Sequence, residues 1–282
     1  MGTAYAQHLL DAGFEVSGWD IDSTRRDALV ALGGEAATTV SEMASVSDVI
    51  LSALPSTNAL AESLGGDDGL TAGAHPGLVF VEMSTFPLAA KNRARAVLEP
   101  LEVAVIDAPV SGTGLQAATA EIVIYASGDS AALERIRPVF GAIGKATFEL
   151  GDFGNGSKMK YVANLLVSVH NLATAEAFVL GMKAGLEPQQ ILDVISAGVG
   201  SSRIFEIRGP MMVADDYPAA AKLKMFIKDM TIIGGFARDV GAPTPLLDAS
   251  LPWYEEGVRQ GLGDFDAAVL CRMLEDQSGL DR

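Results

Sequence analysis

Four polar residues at helical spacing interrupt the most apolar stretch of this 282-residue chain. Lys160, Asn164, Ser168 and Asn171 follow at intervals of four, four and three, which sets them on one face of a helix. Their neighbours Met159, Val162, Leu165, Leu166, Val169 and Leu172 are apolar, so this helix is expected to be buried on all sides. Buried polar groups need partners. An ammonium in a first helical turn also sits at the positive end of the dipole, where a cation is mildly unfavourable. Two explanations stand for Lys160. Either it pairs with a carboxylate such as Asp152, or dipole and desolvation destabilise its ammonium form until it works as a general acid/base. In the second case Asn164, one turn on, is placed to hold a substrate oxygen.

Other polar residues stand where chains turn. Ser111 and Gly112 close a short strand and offer a hydroxyl and an amide, donors that suit a carboxylate; an ordinary strand-to-loop turn is the plain alternative. Ser84 and Thr85 precede Pro87 and read also as an N-cap for the helix that follows. Asp20 ends the strand after Gly2, as the acid that takes an adenosine ribose does in a dinucleotide-binding unit. Only Met1-Gly2 stands where a G-x-G-x-x-G turn belongs, with Gly2 as its last glycine. A truncation is therefore expected, with the first strand missing and the Met of a G-x-G-x-M-G turn taken as the start. The plain alternative makes Gly2 a flexible terminus and Asp20 a loop acid. A carboxylate at Asp20 would repel a 2′-phosphate, which favours NAD over NADP, against the nearby Arg25 and Arg26.

The elements that must position these residues change character along the chain. Strands are expected at 14–20, 48–54, 78–83, 103–108, 122–126 and 147–150, with helices at 3–12, 23–32, 88–98 and 130–140. Such alternation means βαβ units around a parallel sheet, with ligand sites at the carboxyl ends of the strands. After the Gly151–Gly156 loop comes one long helix, 157–184, followed by helices at 188–197, 222–240, 246–260 and 266–275. The reading is an α/β Rossmann-type domain over residues 1–152 and an all-α domain over 153–282.

Composition excludes several classes. The formal charge of −16 is spread along the chain, so the clustered cations that nucleic acid requires are missing. Cys271 is the only cysteine, which rules out an internal disulfide and fits a reducing cytoplasm. His8, His75 and His170 are far apart, and no metal site is expected. No run of about twenty apolar residues is apparent, so no membrane span is expected, and no signal peptide is read at the N-terminus.

Together the motifs carry a resemblance over nearly the whole chain. Gly154-Asn155-Gly156-Ser157-Lys158-Met159-Lys160 with Asn164 resembles the G-x-G-x-x-x-K-x-x-N-N signature of the β-hydroxyacid dehydrogenases. Asp107-Ala108-Pro109-Val110-Ser111-Gly112 is similar to their D-A-P-V-S-G-G, and Glu82-Met83-Ser84-Thr85 to their D-x-S-T. Leu54-Pro55 resembles their L-P loop and Lys228-Asp229 their later K-D pair. Thr113 departs from the second glycine of D-A-P-V-S-G-G, and Ala163 from the first asparagine of N-N.

The resemblance implies a nicotinamide-dependent dehydrogenase or reductase of a short β-hydroxy acid or its semialdehyde. It further implies that Lys160 shuttles the hydroxyl proton, Asn164 orients the substrate, and Ser111 and Gly112 hold its carboxylate beside Thr113. Lys228 would close the site, touching substrate and cofactor, while Gly2, Asp20, Leu54, Pro55, Ser84 and Thr85 would hold NAD or NADP. The variable end of the substrate is expected to meet the helical domain around Phe226. A homodimer or homotetramer is expected, because the long apolar helix leaves more apolar surface than one small bundle hides. Two alternatives stand beside this: imine reduction on the same scaffold, against which Lys160 argues, and a non-catalytic cofactor-binding module.

Overall fold

The computed structural model describes residues 1–280, and the chain divides into two compact units, Met1–Lys160 and Tyr161–Arg282. The first unit opens with α1 (Gly2–Asp11), β1 (Ser17–Gly18), α2 (Ser23–Ala31), β2 (Glu35–Ala36) and α3 (Val40–Val46). It continues with β3 (Val49–Ser52), α4 (Thr57–Leu64), α5 (Leu70–Gly73), β4 (Val79–Glu82), α6 (Leu88–Leu98) and β5 (Ala104–Asp107). Then come β6 (Val110–Ser111), α7 (Gly114–Ala118), β7 (Ile122–Ala126), α8 (Ser130–Ile143) and β8 (Gly144–Glu149). α9 (Asn155–Lys183) starts in this unit and runs on into the second, which adds α10 (Pro188–Ser196), α11 (Arg203–Ala214), α12 (Leu223–Asp239), α13 (Pro245–Arg259) and α14 (Leu270–Ser278). This is the Rossmann-type α/β region followed by an all-α region.

Strand parity builds the first core. β3, β4 and β5 pair in parallel with Ser52, Glu82 and Asp107 side by side on one rung. Ile50, Phe80 and Val105 point to one face, where they pack with Leu60 and Leu64 of α4 and Ala94 and Leu98 of α6. Val79, Val81 and Ile106 point to the other, against Tyr5 of α1 and Leu133, Ile136 and Phe140 of α8. Burial on both faces is why these strands read as continuous apolar runs. Each large side chain so buried contributes about 1.5–3 kcal/mol.

Several elements differ from the sequence reading. β1 and β2 form a short parallel pair, and β6 runs antiparallel to β7, which in turn pairs in parallel with β8. β5 joins β7 through an antiparallel bridge, in which Asp107 and Ser127 exchange N–H···O bonds of 2.9 and 2.8 Å. β2 and β6 are too short to show periodicity. Helices α3, α4 and α11 escaped the reading, although each starts at a hydroxyl cap: Thr39 accepts from Glu42 N–H, Ser56 from Ala59 N–H and Ser202 from Phe205 N–H.

In the second unit the polar stripe of α9 is partly structural. The Asn171 amide donates to Tyr254 Oη at 3.1 Å and to the Ala267 carbonyl at 3.0 Å, and Tyr254 donates to the Ser168 carbonyl at 2.8 Å. The expectation that α9 is buried on all sides does not hold. Met159, Val162, Leu166 and Leu180 are exposed, so one flank is covered by nothing in a single chain. α9 is also long and apolar enough to cross a membrane by length and composition, a test that the core helix of a soluble protein passes as well.

Candidate active site

The glycines at the start of α9 have separate tasks. Gly154 sits at φ +95°, in the region that favours glycine. Gly156 lies against neighbouring backbone: a Cβ there would come within 2.2 Å of the Tyr125 carbonyl oxygen and 2.8 Å of that of Asp107. This approach lets β5 cap the helix. Asp107 Oδ2 accepts the Ser157 N–H at 2.7 Å, its Oδ1 accepts the Ser157 hydroxyl at 2.8 Å, and Ser127 Oγ accepts the Gly156 N–H at 2.9 Å. A carboxylate at the positive end of the dipole stabilises the helix as well as satisfying its orphan N–H groups. Lys160 follows three residues after Ser157 on the same helix and is only 9% exposed.

Asp107 belongs to a buried charged triad. Lys91, on the apolar stripe of α6 with Ala90, Ala94 and Leu98, places Nζ 2.7 Å from Asp107 Oδ1 and 2.7 Å from Glu82 Oε2. All three side chains are at most 1% exposed. Burial by itself would depress the Lys91 pKa; the charges of Glu82 and Asp107, and the bonds to both, outweigh it and hold the ammonium above the usual lysine range. Glu82 Oε1 accepts the Ser84 N–H at 2.9 Å, and Ser84 Oγ accepts the Leu54 N–H at 3.0 Å. One network therefore ties the turns after β3 and β4 to the first turn of α9. The sequence reading missed Lys91, Ser127 and Ser157, and gave Glu82 and Asp107 no role beyond membership of motifs. The available signal was a lysine on an apolar helical stripe and an acid closing each of two apolar strands.

The remaining candidate residues fall as follows. Ser84 and Thr85 are not an N-cap: α6 starts at Leu88 with Pro87 as its N-cap residue. Pro55 is exposed and Leu54 half-buried. Ser111 is half-buried on β6, and Gly112 takes φ +138°, where an added Cβ would press on Ile122 at 2.9 Å. Thr113 caps α7. Its N–H donates to Gln116 Oε1 at 2.8 Å, its hydroxyl donates to the same oxygen, and its Oγ1 accepts from Leu115 N–H at 3.3 Å. Gly2 is the first residue of α1, and its Cβ position meets open space. Asp20 Oδ1 accepts the Asp22 N–H at 2.9 Å, while Arg26 donates to the Asp20 carbonyl. Acid and base thus share one loop.

In the second unit Asn164 donates its side-chain amide to Asp229 Oδ2 at 2.7 Å, which leaves its carbonyl oxygen as the acceptor. Lys228 Nζ lies 3.2 Å from Asp229 Oδ1. Phe226 stacks on Tyr254 at 5.4 Å, and the buried Arg208 guanidinium lies 5.0 Å over the Phe226 ring. Among the described residues no group of His, Cys, Asp and Glu can hold a metal ion. His8 and His75 make backbone hydrogen bonds.

Residues 1–151 match the family described as the NAD binding domain of 6-phosphogluconate dehydrogenase. Residues 154–274 match that described as NAD-binding of NADP-dependent 3-hydroxyisobutyrate dehydrogenase. The chain belongs to the β-hydroxyacid dehydrogenase family. Among its relatives, L-threonate dehydrogenase of Cupriavidus necator is 32% identical over 97% of this chain and 93% of that protein. A solved 3-hydroxyisobutyrate dehydrogenase of Mycobacterium tuberculosis, with L-serine, superposes with a TM-score of 0.89 at 26% identity, covering 97% of this chain and 95% of its own. An imine reductase of Streptomyces aurantiacus, covering 97% of this chain and 95% of its own, shares the fold alone, at 22% identity and a TM-score of 0.65. As a β-hydroxyacid dehydrogenase the chain is a nicotinamide-dependent oxidoreductase, with NAD or NADP as its cofactor.

The residues present fit a dinucleotide. No side chain caps the first N–H groups of α1, and Gly2 leaves room beside them; such a helix end suits a pyrophosphate. Ser52 Oγ, where β3 ends, is buried with no protein partner.

Proposed function

We propose that this chain oxidises a small β-hydroxy acid, or reduces the corresponding semialdehyde, with Lys160 as the group that moves the proton. The bound nicotinamide supplies or accepts the hydride. In the oxidative direction Lys160 Nζ takes the hydroxyl proton while the carbon gives up its hydride; in the reductive direction it returns that proton to the carbonyl oxygen. Asn164, its amide fixed by Asp229, orients the substrate. Ser111 Oγ and the Gly112 N–H hold the substrate carboxylate, and Lys228 adds a positive charge from the helical region. Thr113 plays a smaller part than its place in the motif implies, because its donors serve the cap of α7. Leu54, Pro55, Ser84 and Thr85 form the edge along which the cofactor lies, with Gly2 at its pyrophosphate and Asp20 at its ribose. Residues 1–152 act as the cofactor domain and residues 153–282 as the substrate domain of a cytoplasmic homodimer or homotetramer. The exposed flank of α9 supports that assembly.

The observation that carries this reading is a lysine kept 9% exposed one turn into a helix capped by a buried carboxylate. The test is NADH or NADPH oxidation with tartronate semialdehyde, and NAD or NADP reduction with 3-hydroxyisobutyrate, threonate, glycerate and L-serine. Lys160→Ala is expected to lower kcat by about 10²–10⁴-fold. A variant that keeps the parent rate removes Lys160 from the mechanism.

A further inference from the structure

We propose that Lys91 is a positioning residue, clamped between Glu82 and Asp107 so that the Ser84 turn and the first turn of α9 hold Lys160 and the cofactor edge in one fixed geometry. This rests on the reading of Lys160 as the proton-handling group.

A buried ion pair is weak evidence for stability, since apolar residues of equal volume often serve as well. What distinguishes this one is where the other carboxylate oxygens go. Glu82 gives Oε2 to Lys91 and Oε1 to the backbone of Ser84. Asp107 gives Oδ1 to Lys91 and to the Ser157 hydroxyl, and Oδ2 to the backbone of Ser157. Both carboxylates must be ionised to accept at every one of these points. They stand on paired rungs of β4 and β5, and two such neighbours cannot both stay ionised in a dry site without a cation between them. Without the ammonium one of them takes a proton. That proton turns an acceptor into a donor facing Lys91's vacated side or a backbone N–H, and the turn it anchors loosens. On the Ser84 side the slack passes to Leu54 through the Ser84 hydroxyl. On the Ser157 side it passes to Lys160, three residues along the same helix.

The test compares Lys91→Met, which keeps bulk and removes charge, with Glu82→Gln, which replaces the charged acceptor of the Ser84 N–H by a weaker neutral one and leaves the Lys91–Asp107 pair intact. Lys91→Met is expected to lower kcat by about tenfold to a hundredfold, with a smaller change in substrate KM. It is also expected to add a new ionisation to the pH profile of kcat as the two carboxylates share a proton. NADH affinity, read by fluorescence quenching without substrate, should weaken as the Ser84 turn loosens. If Lys91→Met does not fold, Glu82→Gln decides. It should weaken NADH binding while changing the pH profile little, because Asp107 remains paired. A folded Lys91→Met protein, or failing that a folded Glu82→Gln protein, with parent kcat, pH profile and NADH affinity overturns the proposal. Lys160→Ala, run alongside, separates the two readings. Full turnover there removes the role of Lys160, whereas an inactive Lys160→Ala beside a parent-like Lys91→Met removes only the positioning role.

Discussion

Single residues in this protein do different work from neighbours of the same type. Lys158 and Lys160 lie two positions apart on α9, yet the first is exposed and bonded to Asn155 while the second is buried. Of the four polar residues on the α9 stripe, Asn171 bonds Tyr254 and the Ala267 carbonyl and the Ser168 hydroxyl bonds back to the Asn164 carbonyl, whereas Lys160 and Asn164 are the two to which the proposed chemistry is assigned. Thr113 and Ser111 divide in the same way: the threonine is committed to a helix cap, and the serine is half-buried on β6. The hydroxyl of Ser111 is therefore the one whose loss should be felt by a carboxylate substrate. Hydrogen bonds to charged groups contribute about 1.5–3 kcal/mol, so Ser111→Ala should lower kcat/KM by about tenfold to a hundredfold. The loss should appear mainly in KM, measured by initial rates on whichever hydroxy acid proves active.

At the level of elements, the start of α9 carries the most constraint. It is capped from β5 and from the residue after β7, and the cap exists only because Gly156 lets backbone meet backbone. Gly156→Ala puts a methyl 2.2 Å from the Tyr125 carbonyl oxygen. The helix start must move, at a cost of about 1–3 kcal/mol for overpacking. Urea unfolding should report that cost, and kcat should fall with it because Lys160 rides on the same turn. Gly2→Ala makes a useful contrast, since the space at that Cβ is open; a comparable loss of stability there would undo the steric argument.

For the whole molecule, the buried triad fixes how stability responds to alkali. The folded-state pKa of Lys91 lies above its ordinary value. Its contribution is therefore complete below the unfolded lysine value, about 10.4, and is lost as pH rises from there through the folded value. Urea midpoints should fall across that alkaline window and less steeply in Lys91→Met, whose stability is already lower. Breaking a buried pair from one side costs about 3–5 kcal/mol. An equal alkaline slope in parent and variant would show that other groups govern it.

The sequence by itself determined the passage from alternating strands and helices to helices alone and the motifs at the ends of several elements, though not α3, α4, α11 or the short strands β2 and β6. Those depend on local periodicity and turn chemistry, which a chain displays along its length. It showed the Rossmann-type strands buried on both faces, the glycine loop before α9 and the odd placement of Lys160. It could not separate Lys160 and Asn164 from Ser168 and Asn171, because spacing gives a shared face but not the partner across it. Nor could it show that Glu82, Lys91 and Asp107 meet. They lie 9 and 16 residues apart on two strands and a helix, and only the parallel register of β4 with β5, roofed by α6, brings two like charges close enough to need a third.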